Sequence, residues 1–115
     1  MVREQLAGRG IADETVLRAM AAVPRQRFVH TRFSGLAYED SPLPIQQGQT
    51  ISQPYVVARM AELLELRTTD RVLDVGTGSG YAAAVLSRIV AEVYGIERHA
   101  QLAETAARAL AALDY

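Results

Sequence analysis

Apolar residues recur at the 3.6-residue period in four parts of the chain, and this pattern predicts four helices. Asp13 can cap the first helix, and Pro24 ends it. In the second helix Ser52 is predicted as the N-cap, with Pro54 in the first turn. The apolar positions of the four helices are Val16, Leu17 and Met20; Val56, Met60, Leu63 and Leu64; Ala82, Val85, Leu86, Ile89 and Val90; and Leu102, Ala106, Leu110 and Leu113.

Two short apolar runs, residues 72–75 and 93–96, are predicted as β-strands. The first run is interrupted only by Asp74, which is the pattern of a buried strand. Because the runs alternate with the third and fourth helices, we expect parallel strands joined by a right-handed crossover. Residues 28–53 show no period and contain several prolines and glycines, so a long irregular segment is expected there.

The composition is typical of one globular domain. The chain has 115 residues, of which 50% are hydrophobic and 22% are charged, so it has room for a single hydrophobic core. A formal net charge of -1 makes nucleic acid and anionic membranes poor partners. Without cysteine, the chain has no disulfide and no Cys-type zinc site, which suits a reducing compartment. We find no apolar signal region and no membrane-spanning stretch, so a cytoplasmic protein is expected.

The turn from Asp74 to Gly80 joins the first predicted strand to the third helix. Its G-x-G-x-G spacing is neither the dinucleotide pattern G-x-G-x-x-G nor a P-loop, and Asp74 would repel a phosphate. The same carboxylate attracts a cationic amino-acid group. S-adenosylmethionine carries a sulfonium and an ammonium and has no phosphate, so it fits this turn; an ordinary left-handed connection is the alternative.

Glu97 ends the second predicted strand, 23 residues after Asp74. The tips of neighbouring parallel strands lie side by side, so a carboxylate there can accept hydrogen bonds from both ribose hydroxyls. A solvated carboxylate that balances Arg98 at a helix start is the alternative. His30 and His99 are not grouped with other metal-ligating residues, so no metal site is predicted.

Several stretches of the chain occur in the same order in protein-L-isoaspartate O-methyltransferases, and the chain resembles this family along essentially its whole length. The glycine turn occurs in many methyltransferases, whereas the segment from Thr50 to Pro54 occurs in far fewer protein families. The matching stretches are Arg9–Ile11, Val23–Arg25, Phe28–Val29, Pro42–Ile45, Gly48–Pro54, Arg71–Tyr81 and Val93–Arg98.

This resemblance implies an α/β, Rossmann-like methyltransferase fold, with S-adenosylmethionine as cofactor. It implies methyl transfer to the free carboxylate of L-isoaspartyl residues, with damaged proteins and peptides as substrates. Ser52 is implied as the active-site residue, within a wall between cofactor and substrate. The cofactor-binding residues that the resemblance implies are Gln49, Thr50, Ile51, Ser52, Asp74, Gly76, Thr77, Gly78, Glu97 and Arg98.

The resemblance also implies how the chain is organised. Residues 1–66 are expected to form an N-terminal helical, substrate-side segment, and residues 67–115 the start of the cofactor-binding β-α-β-α core of the same domain. Because family members are nearly twice as long, we expect a truncated chain with an exposed strand edge that allows self-association. The alternatives are a non-catalytic fragment and a methyltransferase that acts on an aspartate in another peptide.

Overall fold

The N-terminal part of the computed structural model, which describes residues 1–115, consists of short helical turns and one regular helix. A π-helical turn spans Val2–Leu6, a 3₁₀ turn spans Ala7–Arg9, and helix α1 spans Glu14–Ala22. The Asp13 side chain accepts hydrogen bonds from the amides of Thr15 and Val16, at 2.8 and 3.2 Å. The predicted cap of the first helix is therefore confirmed.

The segment predicted as irregular contains several short ordered elements. Two 3₁₀ turns span Arg25–Phe28 and Thr31–Leu36. Strand β1, Leu43–Pro44, pairs antiparallel with strand β2, Thr50–Ile51, and a 3₁₀ turn at Gln46–Gly48 lies between them. The sequence did not indicate this hairpin, because strands of two residues show no alternation of apolar and polar positions.

Helix α2 spans Pro54–Leu63 and begins one residue later than predicted. Its N-cap is Gln53, which makes no side-chain capping bond, so the prediction that Ser52 caps this helix is wrong. Pro54 occupies the first helical position, where its fixed φ and missing N–H suit the helix without a capping side chain.

The apolar face predicted for α2 is the exposed one. Met60 and Leu63 are each 63% exposed, and Val56 and Leu64 are also exposed. The helix instead packs its small residues inward: Val57, Ala58 and Ala61.

The second half of the chain forms the predicted β-α-β-α unit. Strand β3 spans Arg71–Val75, helix α3 Tyr81–Ser87, strand β4 Glu92–Ile96 and helix α4 Ala100–Ala112. The two strands are parallel, with Asp74 opposite Gly95 and Val75 opposite Ile96, as predicted. Ile89 and Val90 are buried as expected, although α3 ends before them.

One face of this two-stranded sheet packs on the core, and the other is open. Val72 and Val93 lie against the core, whereas Leu73 is 58% and Val75 is 71% exposed. The prediction that β3 is a buried strand is therefore wrong, because no element of the chain covers the second face. Since β3 and β4 pair only with each other, each strand has one unpaired edge; that of β3 was expected.

The core lies where α1, α2 and α3 meet. Phe28 packs edge-to-face on Tyr81, with ring centroids 5.7 Å apart, so the first 3₁₀ turn contacts the start of α3. None of the helices combines the length and the apolar composition needed to cross a bilayer. The main buried apolar residues are Leu6, Ile11, Val16, Met20, Val23, Phe28, Leu43, Ile51, Val57, Tyr81, Val85 and Ile89.

Candidate functional site

The glycine turn between β3 and α3 adopts backbone conformations that suit glycine. Gly76, Gly78 and Gly80 have φ values of +75°, +56° and +87°. The amides of Gly76 and Thr77 both donate to the Ile96 carbonyl, at 2.9 and 3.0 Å, so the turn is fastened to the end of β4. The chain therefore turns sharply beside the neighbouring strand.

Close packing between Thr77 and Gly95 brings the turn onto β4. A Cβ atom at Gly95 would lie only 3.1 Å from the Thr77 hydroxyl oxygen. A side chain at position 95 would force the Thr77 side chain to shift by a few tenths of an ångström, so glycine suits this close approach.

Glu97 joins the end of β4 to the glycine turn. Its Oε1 accepts the Gly78 amide and its Oε2 accepts the His99 amide, both at 3.0 Å. The hydrogen bond from the His99 amide, with a further one from Gly78, holds the pKa of Glu97 below its usual value. The carboxylate is thus ionised and fixed by backbone donors, and each oxygen keeps a lone pair for a further donor.

A hollow of about 560 Å³ lies between the glycine turn and the end of β4. Gly76, Gly78 and Glu97 share this hollow, with Arg98 beside them. Gln49 and Thr50 close it from the side of the β1–β2 hairpin. The two strand tips that the sequence singled out therefore lie around one space.

A second, largely apolar cavity of about 400 Å³ adjoins this hollow. Ile51 and Ser52 line it on one side, and Asp74 and Thr77 on the other. The two cavities share Thr50, Val75, Gly76 and Gly78 as lining residues. All ten residues predicted for the site thus border one of two adjoining spaces.

Two polar atoms beneath the turn are buried without a hydrogen-bond partner: Oδ2 of Asp74 and Oγ1 of Thr77. Buried polar atoms are nearly always paired, and exceptions are common where a ligand binds. Asp74 Oδ2 is an acceptor, so a donor or a positive charge is the complementary ligand group. The described residues contain no group of three or more His, Cys, Asp or Glu side chains placed to hold a metal ion.

A family model described as protein-L-isoaspartate(D-aspartate) O-methyltransferase matches residues 1–115. The chain belongs to this family. The resemblance seen in the sequence is therefore confirmed for the whole chain.

Curated isoaspartate methyltransferases are similar to the chain along its whole length. Protein-L-isoaspartate O-methyltransferase 2 of Pelobacter propionicus is 62% identical over 115 residues, which is 100% of this chain and 51% of the relative. The enzyme of the same name from an Anaeromyxobacter species is 59% identical over 115 residues, 100% of this chain and 47% of the relative. The chain thus spans about half the length of the curated relatives it matches.

Solved structures of isoaspartate methyltransferases share the fold. One covers 99% of this chain and 39% of its own, with a TM-score of 0.87 and 30% identity. Another, from Plasmodium falciparum, is described as a protein-L-isoaspartate O-methyltransferase in complex with S-adenosyl-L-homocysteine. It covers 95% of this chain and 53% of its own, with a TM-score of 0.77 and 29% identity. The predicted α/β methyltransferase fold is confirmed.

The sequence did not indicate several residues that shape this site. Val75, Ile96 and His99 line the larger hollow. Arg25 donates to the Ser52 carbonyl from 27 positions earlier. The three lining residues lie at or next to the ends of the predicted strands, so the strand prediction could have identified them. No periodicity or spacing predicts the contact of Arg25.

Proposed function

We propose that this chain binds S-adenosylmethionine between the tips of β3 and β4. We propose further that the protein transfers the methyl group to the free carboxylate of L-isoaspartyl residues in damaged proteins and peptides. The observation that carries this proposal is the shared hollow of Gly76, Gly78 and Glu97. The family of the chain and the S-adenosyl-L-homocysteine bound to the relative from Plasmodium falciparum support it.

The residues around the two cavities fit this cofactor. Glu97 offers an ionised carboxylate with free acceptor positions for the ribose hydroxyls. Asp74 offers an unpaired, buried acceptor beside the glycine turn, which complements an ammonium or a sulfonium. The carboxylates of Asp74 and Glu97 on either side of the glycine turn disfavour a phosphate there.

The position of Ser52 suits a role in orienting the acceptor. Ser52 is exposed and lines the cavity that Asp74 and Thr77 also line. S-adenosylmethionine supplies, when bound, a methyl group on a positively charged sulfur. An isoaspartyl carboxylate has a pKa of about 4 and is already ionised at neutral pH, so no protein base is needed to activate it.

In this reaction, the residues of the chain therefore act by aligning the acceptor carboxylate with the cofactor. In this proposal Ser52 donates a hydrogen bond that orients the carboxylate, and Gln49, Thr50 and Ile51 form the wall beside it. Alignment of reacting groups can supply roughly 7–11 kcal/mol of a reaction barrier. The apolar lining of the smaller cavity would keep water away from the reacting groups.

Calorimetric titration of the chain with S-adenosylmethionine tests cofactor binding. We expect saturable binding that Glu97→Ala weakens by at least about tenfold, because the loss of two charge-assisted hydrogen bonds costs more than 1.4 kcal/mol. Glu104→Ala, at an exposed position of α4, is the matched control and should leave the affinity unchanged. Equal affinity in the Glu97 variant would remove the proposed ribose contact.

Transfer of a labelled methyl group to an isoaspartyl peptide tests the reaction. We expect label in the isoaspartyl peptide and none in the same peptide with normal aspartate. Ser52→Ala should lower kcat about tenfold or more while cofactor affinity stays constant, since it removes one hydrogen bond to a charged group. Label in the normal peptide would favour the alternative enzyme that acts on another aspartate.

The open face of the sheet favours a second role for the chain, association through its unpaired strands. Each of β3 and β4 has a free edge, and Leu73, Val75, Tyr94 and Ile96 are exposed on these strands. Strand edges of this kind pair with other chains. A cytoplasmic location and the absence of a nucleic-acid partner stay predictions of the composition.

A further inference from the structure

Arg25 is the most deeply buried charged residue of the chain, with 0% of its surface exposed. Its Nε donates to the Ala37 carbonyl at 2.7 Å, and its Nη2 donates to the Ser52 carbonyl at 2.9 Å. Its guanidinium carbon lies 4.8 Å from the centre of the Tyr81 ring. One side chain thus contacts the 3₁₀ segment, the proposed substrate wall and the start of α3.

The hydrogen bonds of the buried guanidinium go to two backbone carbonyls, and its Nη1 atom has no hydrogen-bond partner. No carboxylate pairs with it, since the ion pairs of the structure are Arg9 with Asp40 and Arg59 with Glu62. Desolvation by burial lowers the pKa of Arg25, and burial also raises the pKa of Tyr81 to about 12. A buried charge that forms no ion pair is costly for stability, and the nearby carboxylate of Asp40 offsets only part of this cost. An arginine at this buried position is therefore not explained by stability alone.

The segment that carries Ser52 is fastened on both sides of this residue. Upstream, Thr50 and Ile51 pair with β1. Downstream, Asp40 accepts the Tyr55 amide at 2.9 Å and the Gln53 side chain at 3.3 Å. At Ser52 itself, the hydrogen bond from Arg25 is the one that holds the carbonyl.

Ser52 takes part in two different environments, the cavity and the contact with Arg25. The residue lines the cavity next to the glycine turn, and its carbonyl accepts a hydrogen bond from the buried Arg25. Fixing the carbonyl fixes the peptide plane between Ser52 and Gln53, which restricts ψ of Ser52 and so the direction of its Cα–Cβ bond. Tyr81 is the first residue of α3, directly after Gly80. Arg25 therefore contacts both Ser52 and the helix that follows the glycine turn.

We propose that Arg25 is a positioning residue that sets the Ser52 side chain relative to the glycine turn. This inference rests on the proposed function, because it assigns Ser52 the orientation of the acceptor carboxylate. Arg25 touches neither cavity. It therefore acts through Ser52 and not on the substrate.

Arg25→Lys tests this role, because a lysine keeps the charge but cannot donate from two separate nitrogens to two carbonyls. Arg27→Lys is the matched control, since Arg27 is exposed in the same 3₁₀ turn. In Arg25→Lys we expect kcat with an isoaspartyl peptide to fall about tenfold or more through misalignment, with the affinity for S-adenosylmethionine within about twofold. An unchanged kcat, or an equal loss of cofactor affinity, would overturn the proposal.

Amide hydrogen exchange provides a second measurement on the same variant. The amides of Tyr55 and Val56, which follow Ser52 and are hydrogen-bonded, should exchange faster, while the Ala84 amide within α3 should not change. Faster exchange throughout the chain would mean that Arg25 only stabilises the fold, and this would also overturn the proposal. This readout stands even if the wild-type chain transfers no methyl group, which would contradict the proposed function alone.

The wild-type chain decides the question if Arg25→Lys does not fold. The Arg25 Nε–H group should then show a slowly exchanging resonance with a nuclear Overhauser contact from the guanidinium to Ser52. Rapid exchange of that proton, or the lack of the contact, would contradict the proposed arrangement.

Discussion

At the scale of single residues, the glycine turn needs residues that adopt a positive φ and that leave the backbone open to a ligand. Gly76 has a positive φ, and a Cβ atom added to it would meet no atom within 4 Å on the protein side. Its backbone faces the space that Glu97 also borders. Gly76 therefore serves both the sharp turn and the open approach to the backbone, which is the reason that the sequence motif indicated a ligand.

Gly76→Ala tests the requirement for a positive φ separately from any steric obstruction. We expect a loss of about 1–2 kcal/mol in the free energy of unfolding, because alanine is strained at a φ of +75° although no atom obstructs its Cβ. Urea denaturation measures this loss. Gly35→Ala is the control, since Gly35 is equally unobstructed and has no positive φ; it should be neutral or stabilising. Equal stability of the two variants would contradict the explanation from backbone strain.

At the scale of elements, the sequence predicted the four regular helices and the two parallel strands, since each shows a clear period or apolar run. It did not predict which face of a helix the fold covers. In α2, the larger apolar residues Met60 and Leu63 are exposed, and the smaller Ala58 and Ala61 pack inward. The period of a pattern gives a face, but only the tertiary neighbours determine whether the face is buried.

The sequence pattern also did not predict the contacts between elements. Glu62, on α2, accepts the amides of Ala12 and Asp13 at 2.7 and 2.9 Å and pairs with Arg59 at 2.7 Å. It thereby satisfies free amides just before α1. A spacing of about 50 residues between these partners carries no local signal.

Glu62→Gln should remove part of the pH dependence of stability. The hydrogen bonds from the Asp13 and Ala12 amides, with Arg59, hold the pKa of Glu62 below its usual value. A lowered folded-state pKa gives stabilisation that is complete above the unfolded-state pKa and is lost as the pH falls through the folded value. Wild type should therefore exceed the variant in stability at neutral pH, and this advantage should shrink in acid.

Urea denaturation at neutral pH and below about pH 4 measures this difference. Glu104→Gln, at an exposed position of α4, is the control and should change little at either pH. A Glu62 variant as stable as wild type at neutral pH would contradict the assigned contact between α1 and α2.

At the scale of the whole molecule, the two halves of the chain meet at the site. Gln49 and Thr50 come from the N-terminal half, and Gly76 and Glu97 from the β-α-β-α half, yet all four border one hollow. The sequence supplied the strand-tip residues on chemical grounds and the N-terminal ones through family resemblance. Neither route supplied the contact of Arg25, which depends on the packing of three segments.

The exposed apolar face leads to a prediction about assembly. The chain should associate as its concentration rises, since the open sheet face and the face of α2 with Met60 and Leu63 are apolar. Leu63→Lys should weaken the association, and Leu36→Lys, at an exposed position of a 3₁₀ turn, should not. Sedimentation equilibrium measures the effect. A monomer at every concentration would contradict it.

The most direct test of the central claim is a titration of the labelled chain with S-adenosyl-L-homocysteine, followed by backbone amide resonances. If β3 and β4 hold the nucleoside between their tips, the largest saturable shifts will fall on Gly76, Gly78, Glu97 and Arg98, with smaller shifts at Gln49 and Thr50. Shifts centred away from the glycine turn, or none at millimolar ligand, would contradict the claim.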